Sequence, residues 1–200
     1  MAEARTYRLP LAVGDLTLRR VRRADAADLL AYRSDPAVAR QQYWEPFDAD
    51  GVARLIEEQS YVEPGMFGAP LVFAVEYEGK VVGDVPLTVN VPEHKQGEVG
   101  FSFHQQYTGR GLATRAVAAV LGFGFAQLGL HRITAATFTD NERAWRLMER
   151  VGMRREAHFV HDGFVRGRWV DVYAYGMLED EWRSRHAELV AAVGPGGAAV

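Results

Sequence analysis

Two glycines with a single residue between them stand where a strand-like run gives way to an apolar helical run. The segment reads Gln106-Tyr107-Thr108-Gly109-Arg110-Gly111-Leu112-Ala113-Thr114. Glycine adopts unusual dihedral angles and lets the backbone approach a ligand closely, so several N–H groups can point at one anion. A helix N-terminus adds partial positive charge, and Arg110 offers a direct charge contact. The segment therefore predicts a cradle for a phosphate or pyrophosphate group.

Two other phosphate-binding motifs fit this chain poorly. A dinucleotide fingerprint beginning at Gly109 needs Gly or Ala where Thr114 stands, and residues 131–136 lack the acidic residue that it requires. The G-x-x-x-x-G spacing of Gly124 and Gly129 is not followed by Lys and Ser or Thr, so it is not a P-loop. An ordinary strand-to-helix turn that contains glycines remains the alternative to a phosphate site.

The elements that position this turn follow from the hydrophobic periodicity of the chain. Strands are predicted at 15–19, 71–77, 80–89, 98–103, 133–138, 154–160 and 169–178. Helices are predicted at about 25–34, 50–60, 109–129, 141–150 and 179–193. Two strand-then-helix units among antiparallel hairpins indicate a mixed α/β or α+β fold.

Side-chain alternation predicts which faces these elements present. On the strand at 98–103 one face carries Val99, Phe101 and Phe103, and the other carries Glu98, Gly100 and Ser102. The apolar side of the first helix consists of Ala27, Leu30 and Ala31.

The composition is typical of a globular chain with one core. Of the 200 residues, 48% are hydrophobic and 24% are charged, and the formal net charge is −3. We expect a single domain at 1–193 and a flexible glycine-rich tail at 194–200. The bulk charge does not favour nucleic-acid binding, which usually needs a basic face.

Cysteine is absent from the sequence, which excludes disulfides, cysteine nucleophiles and cysteine-bound zinc. The first ten residues lack the apolar stretch of a signal peptide. The apolar run at 116–130 is interrupted by Gln127 and is too short to cross a bilayer. A cytoplasmic protein without a membrane partner is expected. His158 and His161 lie three apart on a predicted strand and so face opposite sides, which predicts no metal site.

Several motifs in fixed order resemble the GNAT family of N-acetyltransferases. Gln106-x-x-Gly109-x-Gly111 is similar to the family's acetyl-CoA pyrophosphate motif, R/Q-x-x-G-x-G/A. Leu128-Gly129-Leu130-His131-Arg132-Ile133, Asn141-x-x-Ala144 and Met148-Glu149-Arg150-Val151-Gly152-Met153 then follow in the family's order. Glu98-Val99-Gly100-Phe101, and the segment from Asp162-Gly163 to Gly167-Arg168-Trp169-Val170-Asp171, resemble the branch that acetylates ribosomal-protein N-termini. The resemblance covers about 16–182.

The resemblance implies a central, mostly antiparallel twisted sheet with a splayed parallel pair and flanking helices. It also implies acetyl-CoA as cosubstrate and direct transfer, in which an amine attacks the thioester and a tetrahedral oxyanion forms. The residues that it assigns to acetyl-CoA are Phe101, Ser102, Phe103, Gln106, Tyr107, Thr108, Gly109, Arg110, Gly111, Leu112, Ala113, Thr114 and Asn141.

Catalytic roles follow for two of the residues. An attacking amine titrates at about 8 or 10.4 and must first lose a proton, and Glu98 is the candidate base; a solvated charge at the strand edge is the alternative. Backbone N–H groups from Phe101 to Phe103 are candidates to hold the thioester oxygen. Asn141 is a favoured N-cap residue, and the resemblance gives it a contact with the pantetheine arm as well.

Two residues depart from the family pattern. Ala144 stands where the ribosomal branch often has Ser, and Met148 stands where many relatives have Tyr. Neither residue can protonate the leaving thiolate, so Tyr107, Tyr173 or water must do so, or the thiolate leaves without assistance, or turnover has been lost.

The expected acceptor is a primary amine, first of all a peptide or protein N-terminus. A polyamine or aminoglycoside, and a CoA-binding sensor without turnover, are the alternatives. Relatives often dimerise, and the sequence leaves a homodimer open.

Overall fold

A nine-stranded sheet runs through the computed structural model, which describes residues 7–185. The strands are β1 (Leu11–Val13), β2 (Leu16–Arg20), β3 (Leu71–Tyr77), β4 (Lys80–Val91), β5 (Gln96–Val99), β6 (Ser102–Phe103), β7 (Arg132–Phe138), β8 (Arg154–Val165) and β9 (Arg168–Leu178). Their order is β1-β2-β3-β4-β5-β7-β9-β8, with β6 also paired to β4. β5 and β7 are parallel and the other pairs are antiparallel. The predicted mixed fold is confirmed.

The helices are α1 (Ala26–Arg33), α2 (Pro36–Ala39), α3 (Ala49–Gln59), α4 (Leu112–Gly122) and α5 (Glu142–Val151). A π-helical stretch, Phe123–Gln127, continues α4. A further helix begins at 179 and is described as far as 185. The rest of the predicted helix at 179–193, and the predicted tail at 194–200, lie outside the described residues. The short strand β1 and the single-turn helix α2 were not predicted from the sequence.

Helices cover the sheet on both faces. Phe73 and Ala74 are neighbours on β3 and therefore point to opposite faces. Phe73 packs into the larger core with Leu112 and Val117 of α4. Ala74 packs into a second core with Leu29 of α1, Tyr32 of α1 and Val52 of α3. The larger core and α4 therefore lie on one face of the sheet, with α1 and α3 on the other.

The first helix buries a different side from the one predicted. Its buried residues are Leu29, Tyr32 and Arg33. On the predicted apolar side Ala27 and Ala31 are exposed and Leu30 is half-buried. The Arg33 guanidinium donates to both carboxylate oxygens of Asp84 at 3.0 and 2.8 Å, and Tyr32 donates its hydroxyl to the same carboxylate. Asp84 is fully buried in β4, so its charge needs these partners. The ion pair between Arg33 and Asp84, rather than small apolar residues, therefore determines which side of α1 packs against the sheet.

The predicted strand at 98–103 is wrong in its continuity, because it divides into β5 and β6. Both halves keep one register against β4, with Leu87 opposite Val99 and Asp84 opposite Ser102. Between them Gly100 faces Pro86 and donates its N–H to the Pro86 carbonyl at 3.0 Å. Proline has no N–H to return this bond. The ladder is therefore broken at the residue pair that separates the two strands.

β5 and β7 part just before that break. Their parallel pairing covers only Gln96–Glu98 against Arg132–Thr134. β7 continues to Phe138 paired with β9, while the chain after Glu98 stays with β4. Among residues 7–185, no ladder joins β7 beyond Thr134 to residues 99–103. An opening therefore separates the two parallel strands at their carboxyl ends.

Candidate functional site

A cleft of about 560 Å³ lies at this opening. It is bounded by the turn before α4, the segment around β6, one side of α5 and the residues of α2 and just beyond. Its lining consists of Ala37, Val38, Gln41, Gln42, Phe101, Ser102, Phe103, Gln105, Tyr107, Thr108, Gly109, Gly111, Leu112, Ala113, Thr114, Asn141, Arg143, Ala144, Arg146, Leu147 and Arg150. Most of the residues predicted for the site are therefore brought together.

The turn before α4 offers a row of free backbone donors. Gly109 and Gly111 have φ of 84° and 74°, the left-handed region that glycine accommodates, and a Cβ on either would meet nothing within 4 Å. Within the described part of the chain, the N–H groups of 109–114 donate no hydrogen bond. The first turn of a helix leaves such donors unpaired. This geometry suits an anion at the N-terminus of α4.

The parting of β5 from β7 exposes backbone on the other side of the cleft. Gly100 bonds to β4, so the N–H and carbonyl of Phe101 point the opposite way, toward β7. The Phe101 carbonyl accepts from Gln42 Nε2 at 3.3 Å. Within residues 7–185 the Phe101 N–H donates no hydrogen bond. It is therefore available to a ligand oxygen.

Asn141 lies at the end of the opening where β7 leads into α5. Its Oδ1 accepts the N–H of Ala144 at 3.3 Å, so it is the N-cap of α5. Asn141 also lines the cleft. The cap is therefore present, and a ligand contact remains a prediction.

Three of the predicted residues do not line the cleft. Gln106 and Arg110 are exposed, and the Arg110 guanidinium lies over the Tyr107 ring, 5.5 Å from its centroid. Glu98 is also exposed. It alternates with the buried Val99 along β5 and so points to the opposite face of the sheet from α4.

Glu98 belongs to a small group on that opposite face. Asn90 Nδ2 donates to Glu98 Oε2 at 3.2 Å. Partial burial raises the pKa of Tyr43, and the negative charges of Asp162 and Glu98 raise that pKa further. The Tyr43 ring packs edge-on against Phe138, with the centroids 4.9 Å apart. Two carboxylates therefore act on one phenol beside the end of β7.

Tyr107 and Tyr173, the two candidates to protonate the leaving thiolate, lie in different parts of the structure. Tyr107 lines the cleft, whereas Tyr173 does not. The Arg155 guanidinium lies 3.9 Å from the Tyr173 ring centroid, and His158 packs against the same ring. Ala144 lines the cleft at one of the two positions that depart from the family pattern.

Sequence reasoning missed part of the lining. The α2 residues went unnoticed because α2 itself was not predicted. Gln41 beside it has a buried Oε1 without a hydrogen-bond partner in the structure as described. Arg143, Arg146 and Arg150 were also missed, and we call them the arginine stripe. Their spacing of three and four residues, which places them on one side of a helix, was the available signal.

Two residues of the last hairpin, His158 through its ring and His161 through its backbone, contact the carboxylate of Asp171. His158 Nε2 lies 3.0 Å from Asp171 Oδ2, and the His161 N–H donates to Asp171 Oδ1 at 2.9 Å. These contacts, the His161 N–H bond first, hold the pKa of Asp171 below its usual range. Among residues 7–185, no group of three or more His, Asp or Glu side chains could hold a metal ion. Nor does any helix there have the length and apolar character to span a membrane.

Comparison with known proteins identifies the family. The model of the GNAT acetyltransferase domain matches residues 15–154. The chain therefore belongs to the GNAT acetyltransferase family, and the resemblance noted in the sequence is confirmed.

Curated relatives carry more than one substrate in their names. The uncharacterized N-acetyltransferase YnaD of Bacillus subtilis is 35% identical over the matched region. That region covers 52% of this chain and 61% of the length of YnaD. Spermidine N(1)-acetyltransferase of Escherichia coli K12 is 25% identical, over 84% of this chain and 89% of its own. YdaF of Bacillus subtilis, provisionally named a ribosomal N-acetyltransferase, is 26% identical over 53% of this chain and 58% of its own.

Solved structures share the fold. A GNAT-family acetyltransferase from Bacillus anthracis superposes with a TM-score of 0.77 at 28% identity, covering 86% of this chain and 99% of its own. Spermidine N-acetyltransferase from Vibrio cholerae, solved with CoA and spermine, has a TM-score of 0.75 at 24% identity. The superposition covers 84% of this chain and 98% of its own.

Proposed function

We propose that this enzyme transfers the acetyl group of acetyl-CoA directly to the primary amine of a peptide or protein N-terminus. The observation that carries the proposal is the cleft, which joins the amides of 109–114 to the N–H of Phe101, all without a hydrogen-bond partner among residues 7–185. Acetyl-CoA has a pyrophosphate at some distance from its thioester, joined by a long arm in which methylene and methyl groups alternate with two amides. Phe101, Phe103, Leu112 and Leu147 supply apolar walls between the two ends.

In this mechanism different residues bind the pyrophosphate, stabilise the thioester oxygen and accept the proton of the amine. The amides before α4 hold the pyrophosphate, and the Phe101 N–H donates to the thioester oxygen as negative charge develops there. The Glu98 carboxylate, on the other face of the sheet, accepts the proton of the incoming ammonium through a water. The amine then forms its bond to the acetyl carbon, the carbon–sulfur bond breaks, and the nitrogen gives up its second proton to water. Tyr107 or water protonates the thiolate.

The charge near Glu98 supports a cationic acceptor. Glu98 and Asp162 both act electrostatically on Tyr43, and such a negative region concentrates ammonium groups. The stretch containing Asp162 also carries the resemblance to the branch that acetylates ribosomal-protein N-termini. An α-amine with its low pKa of about 8 is the more readily deprotonated acceptor.

A polyamine is the second candidate, favoured by the spermidine N(1)-acetyltransferase among the relatives. It shares the family and most of its length with this chain. A polyamine presents several positive charges, which the same carboxylates would attract.

Thiol release from acetyl-CoA measures the activity directly. The purified enzyme is assayed with peptides that differ in their first residue, the same peptides with blocked N-termini, spermidine, spermine and an aminoglycoside. We expect release with free peptide N-termini and none with blocked ones. Release with spermidine and with none of the peptides would identify a polyamine, and not a peptide N-terminus, as the acceptor.

A direct binding measurement separates the remaining outcome. Acetyl-CoA affinity is determined by calorimetry on the same preparation. Tight binding without release across the whole panel would refute turnover and leave a CoA-binding sensor.

A further inference from the structure

The cleft is more basic than the chain that forms it. Its lining contains three arginines and neither Asp nor Glu, although the whole chain has a formal net charge of −3. All three arginines belong to the arginine stripe on α5. The cleft therefore has a local positive charge that bulk composition does not provide.

The arginine stripe is continuous along the helix. Arg143, Arg146 and Arg150 follow one another at intervals of three and four residues, so they project from one side over two turns. From Arg143 to Arg150 the helix rises about 10 Å. The buried residues Ala144, Leu147 and Met148 hold the neighbouring side of α5 against the core. The stripe is thus fixed at the edge of the cleft.

Two of these charges have no protein partner among the residues that the structure describes. Arg143 and Arg150 form no ion pair within residues 7–185, whereas Arg146 pairs with Glu142 at 2.7 Å. Arg146 also lies over the Trp145 ring, 5.4 Å from its centroid. Free guanidinium groups beside a cleft are suited to phosphate, which they bind in a bidentate manner.

The stripe and the free amides of 109–114 are on different elements. The amides are the proposed site of the pyrophosphate. The stripe faces the same cleft from α5 and therefore offers a second, separate place for an anion. Acetyl-CoA has such a second anion, the phosphate on the 3′ position of its ribose.

We propose that the arginine stripe binds the ribose 3′-phosphate of acetyl-CoA and makes the enzyme selective for CoA over 3′-dephospho-CoA. This inference rests on the proposed use of acetyl-CoA. It assigns Arg143 and Arg150 as the direct partners of the phosphate. Arg146, held by Glu142, contributes its charge at the centre of the stripe.

Calorimetric titration with CoA and with 3′-dephospho-CoA tests the assignment. Loss of the 3′-phosphate should weaken binding to the wild-type enzyme about tenfold, which corresponds to about 1.4 kcal/mol. The double variant Arg143→Gln/Arg150→Gln should bind CoA about tenfold more weakly and bind 3′-dephospho-CoA as the wild type does. Each single variant should fall between these values.

Arg54→Gln is the matched control, because Arg54 is an exposed arginine of α3 that does not line the cleft. It removes the same charge and should change neither affinity. Thermal melting verifies that each variant is folded, which is expected since all these side chains are exposed.

The possible failures are distinct. Equal wild-type affinity for the two ligands would overturn the stripe assignment and leave the acetyl-CoA proposal standing. Equal weakening of both ligands in the double variant would also overturn it, because the arginines would then act on another part of CoA. A wild-type enzyme that binds neither ligand would refute the proposed function itself.

Discussion

The ring of Phe103 lies against the backbone of Gly83, its partner across β4 and β6. A Cβ at Gly83 would overlap Cδ1 of that ring and lie 2.6 Å from the Ser102 carbonyl oxygen. Gly83 thus provides the space that lets Phe103 line the cleft.

Substitution of Gly83 tests this packing. Gly83→Ala should lower the free energy of unfolding by about 1–3 kcal/mol, the usual cost of overpacking. Because the displaced ring moves at the cleft wall, acetyl-CoA affinity should fall as well. Urea unfolding and calorimetry measure the two effects, and unchanged values of both would show that the ring does not depend on the glycine.

Gly109→Glu should weaken acetyl-CoA binding by about a hundredfold or more, since it places a negative charge among the amides proposed for the pyrophosphate. The control is Gly79→Glu in the β3–β4 turn. Gly79 also has a positive φ and open space around its Cβ, so the backbone strain is matched. Similar affinities for the two variants would contradict the anion cradle.

Glu98→Gln should lower kcat about a hundredfold at neutral pH, as expected for loss of a general base. The deficit should shrink at high pH, where the amine loses its proton without help. Glu93→Gln, another exposed carboxylate just before β5, serves as the control. A pH–rate profile of Glu98→Gln parallel to that of the wild type would remove Glu98 from this role.

Asn141 is tested by two substitutions that differ in capping ability. Asn141→Ala should cost about 1 kcal/mol of stability because the cap of α5 is lost. Asn141→Ser retains a capping oxygen and should keep most of that stability. If the amide contacts CoA, both variants will bind acetyl-CoA more weakly; wild-type affinity for Asn141→Ser would leave the cap as its only role.

The ion pair between Glu156 and Arg132 should contribute to the free energy of unfolding, and this contribution should be lost in acid. Arg132, which donates to both Glu156 oxygens, holds the pKa of Glu156 below its usual range, with a further contribution from Arg154. A depressed folded-state pKa stabilises the fold above the unfolded pKa of about 4.3 and loses this effect as pH falls through the folded value. Glu156→Gln should therefore cost about 1 kcal/mol at pH 7 and little below pH 3 or so. Urea unfolding across this range would show a constant difference if the ion pair were unimportant.

The sequence predicts most elements because their periodicity reflects burial on one face. In the helix predicted at about 109–129, the apolar residues Leu112, Val117 and Leu121 recur at helical spacing, and all three are buried. The first helix escaped this reasoning, since Arg33 is buried only because Asp84 meets it from a strand some fifty residues away. Such a pairing leaves no periodic signal.

The candidate site was predicted where local chemistry dominates. Two glycines before a helix identify the amide row in one short segment. Glu98 was correctly assigned to one face of its strand, but the separation of that face from the cleft depends on helices on both sides of the sheet. The arginine stripe has helical spacing, yet its relation to the cleft requires the position of α5.

Pro86 has one more consequence for how the enzyme meets its cosubstrate. Proline lacks a backbone N–H at every temperature and in every state of ligation. The Pro86–Gly100 pair can therefore never form its second hydrogen bond. At Gly100, next to the proposed thioester site, the chain is therefore held to β4 by one hydrogen bond instead of two, and no ligand can change this.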